Sequence, residues 1–307
     1  MPASRIPRIL HLCFGMAPDF GGKPWSLVHH VCARSAVEVL RPERAFLYYA
    51  FEPSGPWWEA TRRILEPVRI EAPAAIFGNP LLHPAHQADV VRLEKLIEHG
   101  GIYLDCDVLV RRDFGPLLGH SAVLGQEGDG GREGLCNAVI LAEPQAPFLR
   151  RWHASYTTFR ARGHDEFWCE HSVQVPSRLA AEHPGELEIV DHRAFFSPMW
   201  SEPELDRLFA SARPLDNPDA YAHHLWESQA WDDYLGELTV RRVRRVETNF
   251  HRMARPYLAE LPDDYGAPPP ARRLANWARR RWRVATAHVP RRLEAAARRR
   301  AKALLRR

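Results

Sequence analysis

The sequence predicts an α/β protein built on a mostly parallel central sheet flanked by helices. Two observations lead there. Short apolar runs that read as strands alternate with segments of helical period, and the clearest helix meets the clearest strand at a double glycine. In chain order, Arg8–Phe14 (RILHLCF) reads as a first buried strand and Ala45–Phe51 (AFLYYAF) as a second, closed by a turn at Pro53-Ser54-Gly55-Pro56. Trp57–Leu65 reads as a helix and Val68–Ile70 as a third strand. Pro84 opens the clearest helix, Gly100-Gly101 close it, and Ile102–Val108 reads as the strand that follows. Further strands are expected at Ala122–Gly125, Ala138–Ala142 and Leu187–Val190, and helices at Pro147–Phe159 and Val173–Ala181. The stretch Gly125–Gly134 (GQEGDGGREG) is too rich in glycine for regular structure and reads as a flap.

Composition narrows the class. The chain has 307 residues, 45% hydrophobic and 26% charged, which excludes a disordered or fibrous chain. No apolar run approaches the ~18 residues that a spanning helix needs. The start, Met1-Pro2-Ala3-Ser4-Arg5, lacks the apolar core of a secretory signal. Five scattered cysteines without a CxxC pair argue against a disulfide scaffold or a structural zinc site. Together these predict a soluble cytoplasmic protein.

Charge divides the chain. Residues 271–307 hold 14 Lys or Arg and one acid, a net +13, which leaves the first 270 residues at −9 within a total of +4. The two parts join at Ala267-Pro268-Pro269-Pro270, which reads as a stiff linker. The expected organisation is therefore a catalytic body over 1–266, a linker over 267–270 and a basic tail over 271–307. In the tail, Leu274, Trp277, Ala278, Trp282 and Ala285 share one helical arc, and Leu293, Ala296, Ala297, Ala301 and Leu304 form a second, each surrounded by arginine. Basic amphipathic helices with interfacial tryptophans favour an anionic membrane surface, peripheral on the inner face of the cell membrane, over packing on the body or nucleic acid.

The segment PAHQADVVRLEKLIEHGGIYLDCDVLV carries the chemistry. With Asp89 as origin, Leu96, Leu93, Ile97 and Val90 fall between about −20° and +100° on the helical wheel. Asp89 thus lies inside the apolar arc, with Arg92 at its edge. A buried carboxylate needs a partner, either Arg92 or a ligand. Alternation along the following strand puts Ile102, Leu104 and Cys106 on one face and Tyr103, Asp105 and Asp107 on the other. Paired carboxylates on one face suit Mg²⁺ or Mn²⁺, and the carboxyl end of a parallel strand is where such sheets bind ligands.

These residues resemble the signature of the DXD-containing sugar transferases, a family that includes fungal outer-chain mannosyltransferases, α-galactosyltransferases and bacterial capsular polysaccharide transferases. Its pattern is an Asp-x-x-Arg helix, Gly-Gly, an apolar-Tyr-x strand and Asp-x-Asp, matched here by Asp89, Arg92, Gly100, Gly101, Tyr103, Asp105 and Asp107. Flanking matches are Ile6-Pro7-Arg8-Ile9-Leu10-His11, Asn137-Ala138-Val139-Ile140 before Glu143-Pro144, and Ala222-His223-His224-Leu225-Trp226-Glu227-Ser228 with Trp231. The chain departs from the family in setting two residues between Ser228 and Trp231. The resemblance implies a GT-A fold and transfer of a hexose from a nucleotide-diphosphate sugar to a glycan or lipid-linked acceptor, with retention of configuration. It implies Asp89, Arg92, Tyr103, Asn137, Ser228 and Trp231 as substrate-binding residues. Asp105 and Asp107 would be catalytic and would hold Mn²⁺ or Mg²⁺, with His224 as a third ligand.

Several features weigh as structure. Adjacent residues on a strand face opposite ways, so at most one of His29-His30 and one of His223-His224 could serve, and His224 is preferred. His11, Trp25, Trp57, Trp58 and the pair Asp232-Asp233 read as packing or helix-start residues. The alternatives are a metal-dependent phosphohydrolase using the Asp-x-Asp pair and a non-catalytic sugar-nucleotide-binding scaffold. The phosphohydrolase expects Thr or Ser where Leu109 stands.

Overall fold

The computed structural model describes residues 4–267. The described residues through Gly266 form one compact unit. The Pro268-Pro269-Pro270 linker and the basic amphipathic tail lie outside the described residues.

Strand β1 (Ile9–Cys13) leads through helix α1 (Leu27–Leu40) to β2 (Arg44–Tyr49), and α2 (Pro56–Thr61) leads to β3 (Glu66–Arg69). A small hairpin of β4 (Ala75–Ile76) and β5 (Asn79–Pro80) precedes α3 (Pro84–His99), β6 (Gly101–Leu104) and β7 (Val108–Val110). Then come β8 (Ala122–Glu127), β9 (Gly134–Ala142), α4 (Pro147–Ser155), α5 (Val175–Glu182), β10 (Glu188–Val190), α6 (Glu202–Phe209), β11 (Ala222–His224) and α7 (Glu227–Ala230). The main sheet has seven strands in the order β10-β8-β9-β6-β1-β2-β3. Four of its pairings are parallel, and the two made by β9 are antiparallel. The expected mixed α/β architecture with a mainly parallel sheet is therefore present.

Each face of the sheet has its own core. Leu10, Leu12, Ile102, Leu104 and Leu141 pack with Val28, Val31 and Ala36 of α1. Phe46, Tyr48, Tyr103, Ile140 and Leu124 pack with Val90, Leu93 and Leu96 of α3 and Trp152 of α4. Period-two alternation in the strands thus feeds two helical layers.

Most expected elements are found with shifted ends. The helix expected over Trp57–Leu65 stops at Thr61, and the one over Pro147–Phe159 stops as an α-helix at Ser155. The expected irregular flap is shorter than read, since β8 runs through Glu127 and Gly134 already belongs to β9, which leaves 128–133 outside both strands. The most consequential difference lies at the acidic pair. The strand expected over Ile102–Val108 ends at Leu104, and Asp105-Cys106-Asp107 forms a turn before β7. The Asp105 amide donates to the Ala138 carbonyl at 2.9 Å and the Val108 amide to the Asp105 carbonyl at 3.1 Å, which fixes that turn.

Gly101 explains the double glycine. Its φ is +116°, and a Cβ there would stand 2.4 Å from the Ile9 carbonyl oxygen and 3.0 Å from His11 Nε2. His11 is itself structural. Its Nε2 donates to the Gly100 carbonyl at 2.8 Å, and its Nδ1 therefore accepts from Tyr48 Oη at 3.0 Å. Burial holds its pKa down at about 4, so the ring is neutral.

Gly101→Ala and Gly78→Ala separate strain from collision. Gly78 also has a positive φ, +83°, but open space around it. Gly78→Ala is expected to lower unfolding free energy by about 1–3 kcal/mol. Gly101→Ala is expected to lose clearly more, measured as the shift in urea midpoint of the two purified variants. Equal losses would remove the close-packing account of Gly101.

Candidate active site

Helix α3 presents Asp89 and Arg92 one turn apart on its buried face, as the periodicity requires. Both are almost wholly covered, with side chains 8% and 6% exposed. Arg92 Nη2 lies 3.2 Å from Asp89 Oδ1, and Nη1 lies 3.1 Å from Asp105 Oδ1 and donates to the Asn137 carbonyl at 2.8 Å. Asn137 Nδ2 donates to Asp89 Oδ1 at 2.7 Å, and Tyr103 Oη donates to Asp105 Oδ1 at 2.8 Å. The guanidinium also lies over the Tyr103 ring at 4.5 Å. Five of the expected site residues, from α3, β6, the following turn and β9, thus form one network around a single cation.

The second half of the site comes from far along the chain. Strand β11 pairs antiparallel with β7, setting His224 opposite Val108. His224 Nε2 lies 3.3 Å from Asp107 Oδ2, which also accepts from the Glu227 amide at 2.7 Å. Its neighbour His223 turns away to the Ser197 carbonyl, and burial holds it at about pKa 4. His29-His30 sits on α1 rather than on a strand, contrary to the reasoning from alternation. His29 Nε2 meets Glu227 Oε1 at 2.9 Å, whereas His30 Nδ1 meets Thr61 Oγ1. Trp25, Trp57 and Trp58 are buried in the core.

Electrostatics separates the two aspartates. Burial raises the Asp105 carboxyl above its ordinary range, against the lowering pull of Arg92. Burial would raise Asp107 too, but the His224 charge and hydrogen bond and the Glu227 amide outweigh it and hold the carboxyl well below that range. His224 is correspondingly raised, since Asp107 more than offsets its desolvation.

Asp105, Asp107 and His224 each offer a ligand atom, and these atoms lie within 4.8 Å of one another. The protein's hydrogen bonds fall on Oδ1 of Asp105 and Oδ2 of Asp107, which leaves one oxygen of each spare. His224 Nδ1 is buried without a hydrogen-bond partner. Two carboxylates and an imidazole so arranged fit a divalent cation with mixed oxygen and nitrogen ligands.

Ser228 and Trp231 stand at the edge of this group. Lys23 Nζ reaches Ser228 Oγ at 3.5 Å, and Trp231 lies beside the His29 ring, 6.3 Å between centroids. Sequence reasoning missed three residues here. Glu227 orients Asp107 through its amide, His29 Nε2 comes within 2.9 Å of the Glu227 carboxylate, and the Glu127 charge lies close enough to His224 to raise it. Along the same carboxyl edge, a cleft of about 510 Å³ opens at the ends of β2 and β3, lined by Ala50, Phe51 and Arg69–Ala72.

Residues 52–124 match the family described as "Glycosyltransferase sugar-binding region containing DXD motif", a stretch that includes Asp89, Arg92, Tyr103 and both aspartates. Glucan organizing enzyme 1 of Cryptococcus neoformans var. grubii is 37% identical over 270 residues, covering 84% of this chain and 72% of that protein. The chain is a DXD-family glycosyltransferase. Among solved structures, galactosyltransferase LgtC in complex with donor and acceptor sugar analogs is 15% identical, with 84% of this chain and 98% of that one covered at a TM-score of 0.42. Glycosyltransferase GlyE of Streptococcus pneumoniae is 11% identical, with 74% and 57% covered at a TM-score of 0.44. For the glycosyltransferase, membership of this family sets aside the phosphohydrolase alternative.

Arg92→Met tests the network. Removing the cation leaves Asp89 and Asp105 buried without their charge partner, and the expected loss is about 3–5 kcal/mol of unfolding free energy. Asp89→Asn leaves Arg92 paired with Asp105 and is expected to cost less. Urea unfolding of both variants gives the order, and the reverse order would remove Arg92 from the centre of the network.

Proposed function

We propose that this glycosyltransferase moves a hexose from a nucleotide-diphosphate sugar to a glycan or lipid-linked acceptor, with retention at the anomeric carbon. The observation that supports it best is the convergence of Asp105, Asp107 and His224 beside the Asp89–Arg92 pair. Asp105, Asp107 and His224 would hold Mn²⁺ or Mg²⁺. Such a cation supplies Lewis-acid neutralisation of the donor's diphosphate.

The chain's own residues position the reaction. Arg92, fixed at both ends by carboxylates, holds Asp89 and Asp105 in place to accept hydrogen bonds from sugar or ribose hydroxyls. Asn137 keeps Asp89 oriented, and Tyr103 keeps Asp105 oriented. The cleft beside the exposed Phe51 offers apolar room for the nucleoside. In the retaining course, the acceptor oxygen bonds to the anomeric carbon on the face from which the diphosphate departs, and a departing phosphate oxygen takes the acceptor's proton.

A melting-curve panel of nucleotide-sugars with and without Mn²⁺ tests this. One donor class is expected to stabilise the protein only with the cation, by about 2.7 kcal/mol at a hundredfold excess over Kd. Asp107→Asn is expected to abolish that shift and to slow transfer by about 10²-fold or more. A full shift and full activity in Asp107→Asn would overturn the metal assignment.

The basic tail suits an anionic membrane surface on the cytoplasmic side, with a lipid-linked or envelope glycan as the matching acceptor. Anionic liposomes are expected to pellet the full chain but not a chain ending at Pro270. Equal pelleting would remove the membrane role.

A further inference from the structure

One cation at the mouth of the site is only loosely held. Lys23 follows Gly21 and Gly22, both with positive φ (+61° and +76°), in the loop between β1 and α1. Because β1 and β6 are parallel neighbours, this loop and the Asp105–Asp107 turn leave the sheet at the same carboxyl edge. Lys23 Nζ lies 3.7 Å from Glu227 Oε2 and 3.5 Å from Ser228 Oγ. Neither is a closed contact for an ammonium group. The groups around it are held tightly by comparison. The Glu227 amide holds Asp107 at 2.7 Å, and His29 Nε2 approaches the other Glu227 oxygen at 2.9 Å without forming a hydrogen bond to it. Arg92 is committed to Asp89, Asp105 and Asn137. Lysine is also scarce in this chain: Lys23, Lys95 and Lys302 are the three lysines among 42 basic residues. Lys95 is closed on Glu98 at 2.8 Å.

We infer that Lys23 binds the outer phosphate of the nucleotide-sugar donor. It leaves Glu227 and Ser228 as the donor enters and returns to them when the nucleoside diphosphate departs. An ammonium with three donors on a flexible stem suits a tetrahedral oxyanion and can follow it as it moves. Cleavage of the bond between the anomeric carbon and the phosphate oxygen leaves the electron pair on that oxygen. The departing diphosphate therefore carries more negative charge than the bound donor, and a cation able to turn toward it stabilises departure more than binding. The inference rests on the donor reading above and adds the residue that meets the leaving group.

The scarcity of lysine supplies the test. Reductive methylation of the full chain with ¹³C-formaldehyde keeps the charge and labels the three lysines and the amino terminus. One methyl signal, missing from Lys23→Met, is expected to shift when UDP or GDP is added with Mg²⁺. By calorimetry, Lys23→Met is expected to bind that nucleoside diphosphate about 10- to 100-fold more weakly. UMP and GMP, which lack the outer phosphate, are expected to bind the variant and the wild type alike, with the melting temperature unchanged and Lys23→Arg recovering part of the loss. Unchanged diphosphate affinity in Lys23→Met, with the wild type binding normally, overturns the inference and leaves the donor reading in place. Equal losses for mono- and diphosphates, or a lowered melting temperature, make Lys23 a structural latch and overturn it as well. Failure of the wild type to bind either diphosphate overturns both readings.

Discussion

The site depends on one buried guanidinium. Arg92 sits between Asp89 and Asp105 with its side chain 6% exposed, and it also donates to the backbone of β9. A charge so deeply covered is tolerable only when its hydrogen-bond capacity is met, and here its partners come from three places: its own helix, a turn and a neighbouring strand. Helix α3 contributes Asp89, the turn after β6 contributes Asp105, and β9 contributes the Asn137 carbonyl. The ion cluster therefore fixes the relative positions of a helix, a strand end and an antiparallel neighbour. The apolar layers on either side make those elements, but they leave freedom to slide that the directed bonds of Arg92 remove.

With that half of the site fixed, the other half needs a second constraint. Asp107 is two residues from Asp105, yet its partners His224 and Glu227 lie more than a hundred positions along the chain. The short pairing of β11 with β7 closes this distance, and the Leu225 amide bonding to the Asp107 carbonyl at 2.9 Å extends it. Glu227 then reaches two elements: its amide holds Asp107, and its carboxylate lies 2.9 Å from His29 of α1. The acidic turn is thus gripped from both cores of the molecule.

The sequence made much of this legible because local rules and tertiary needs agreed. Helical period placed Asp89 and Arg92 on the buried face, and the double glycine announced a positive φ that Gly101 needs beside Ile9 and His11. Alternation correctly separated Tyr103 from Ile102 and Leu104. It failed beyond Leu104, where the Asp105 amide goes to Ala138 and the chain turns, because hydrogen bonding to a distant strand leaves no trace in local periodicity. For the same reason β9 gave no sign of running antiparallel. His29 and Glu227 were hidden differently: a histidine inside an apolar helix and an acid at the start of a short helix look ordinary until folding brings them together. The one available signal was that His29 lies on the apolar, buried side of α1 without an obvious local partner beyond Ser26.

The two aspartates, alike in sequence, are not alike in the fold. Asp105 is bound by Arg92 and Tyr103 through the same oxygen, and burial keeps its carboxyl raised despite the nearby guanidinium. Asp107 is bound by an imidazole and an amide and is driven the other way. Two carboxylates this close would repel if both were bare, and opposite shifts relieve that repulsion while keeping one strongly ionised oxygen donor in place. Such a split cannot come from the residues' spacing, which is symmetric. It comes from placing a permanent cation behind one acid and a titratable one beside the other. A strand carrying both acids on one face would have given them nearly the same surroundings. The turn at Asp105–Asp107 is what allows the two environments to differ.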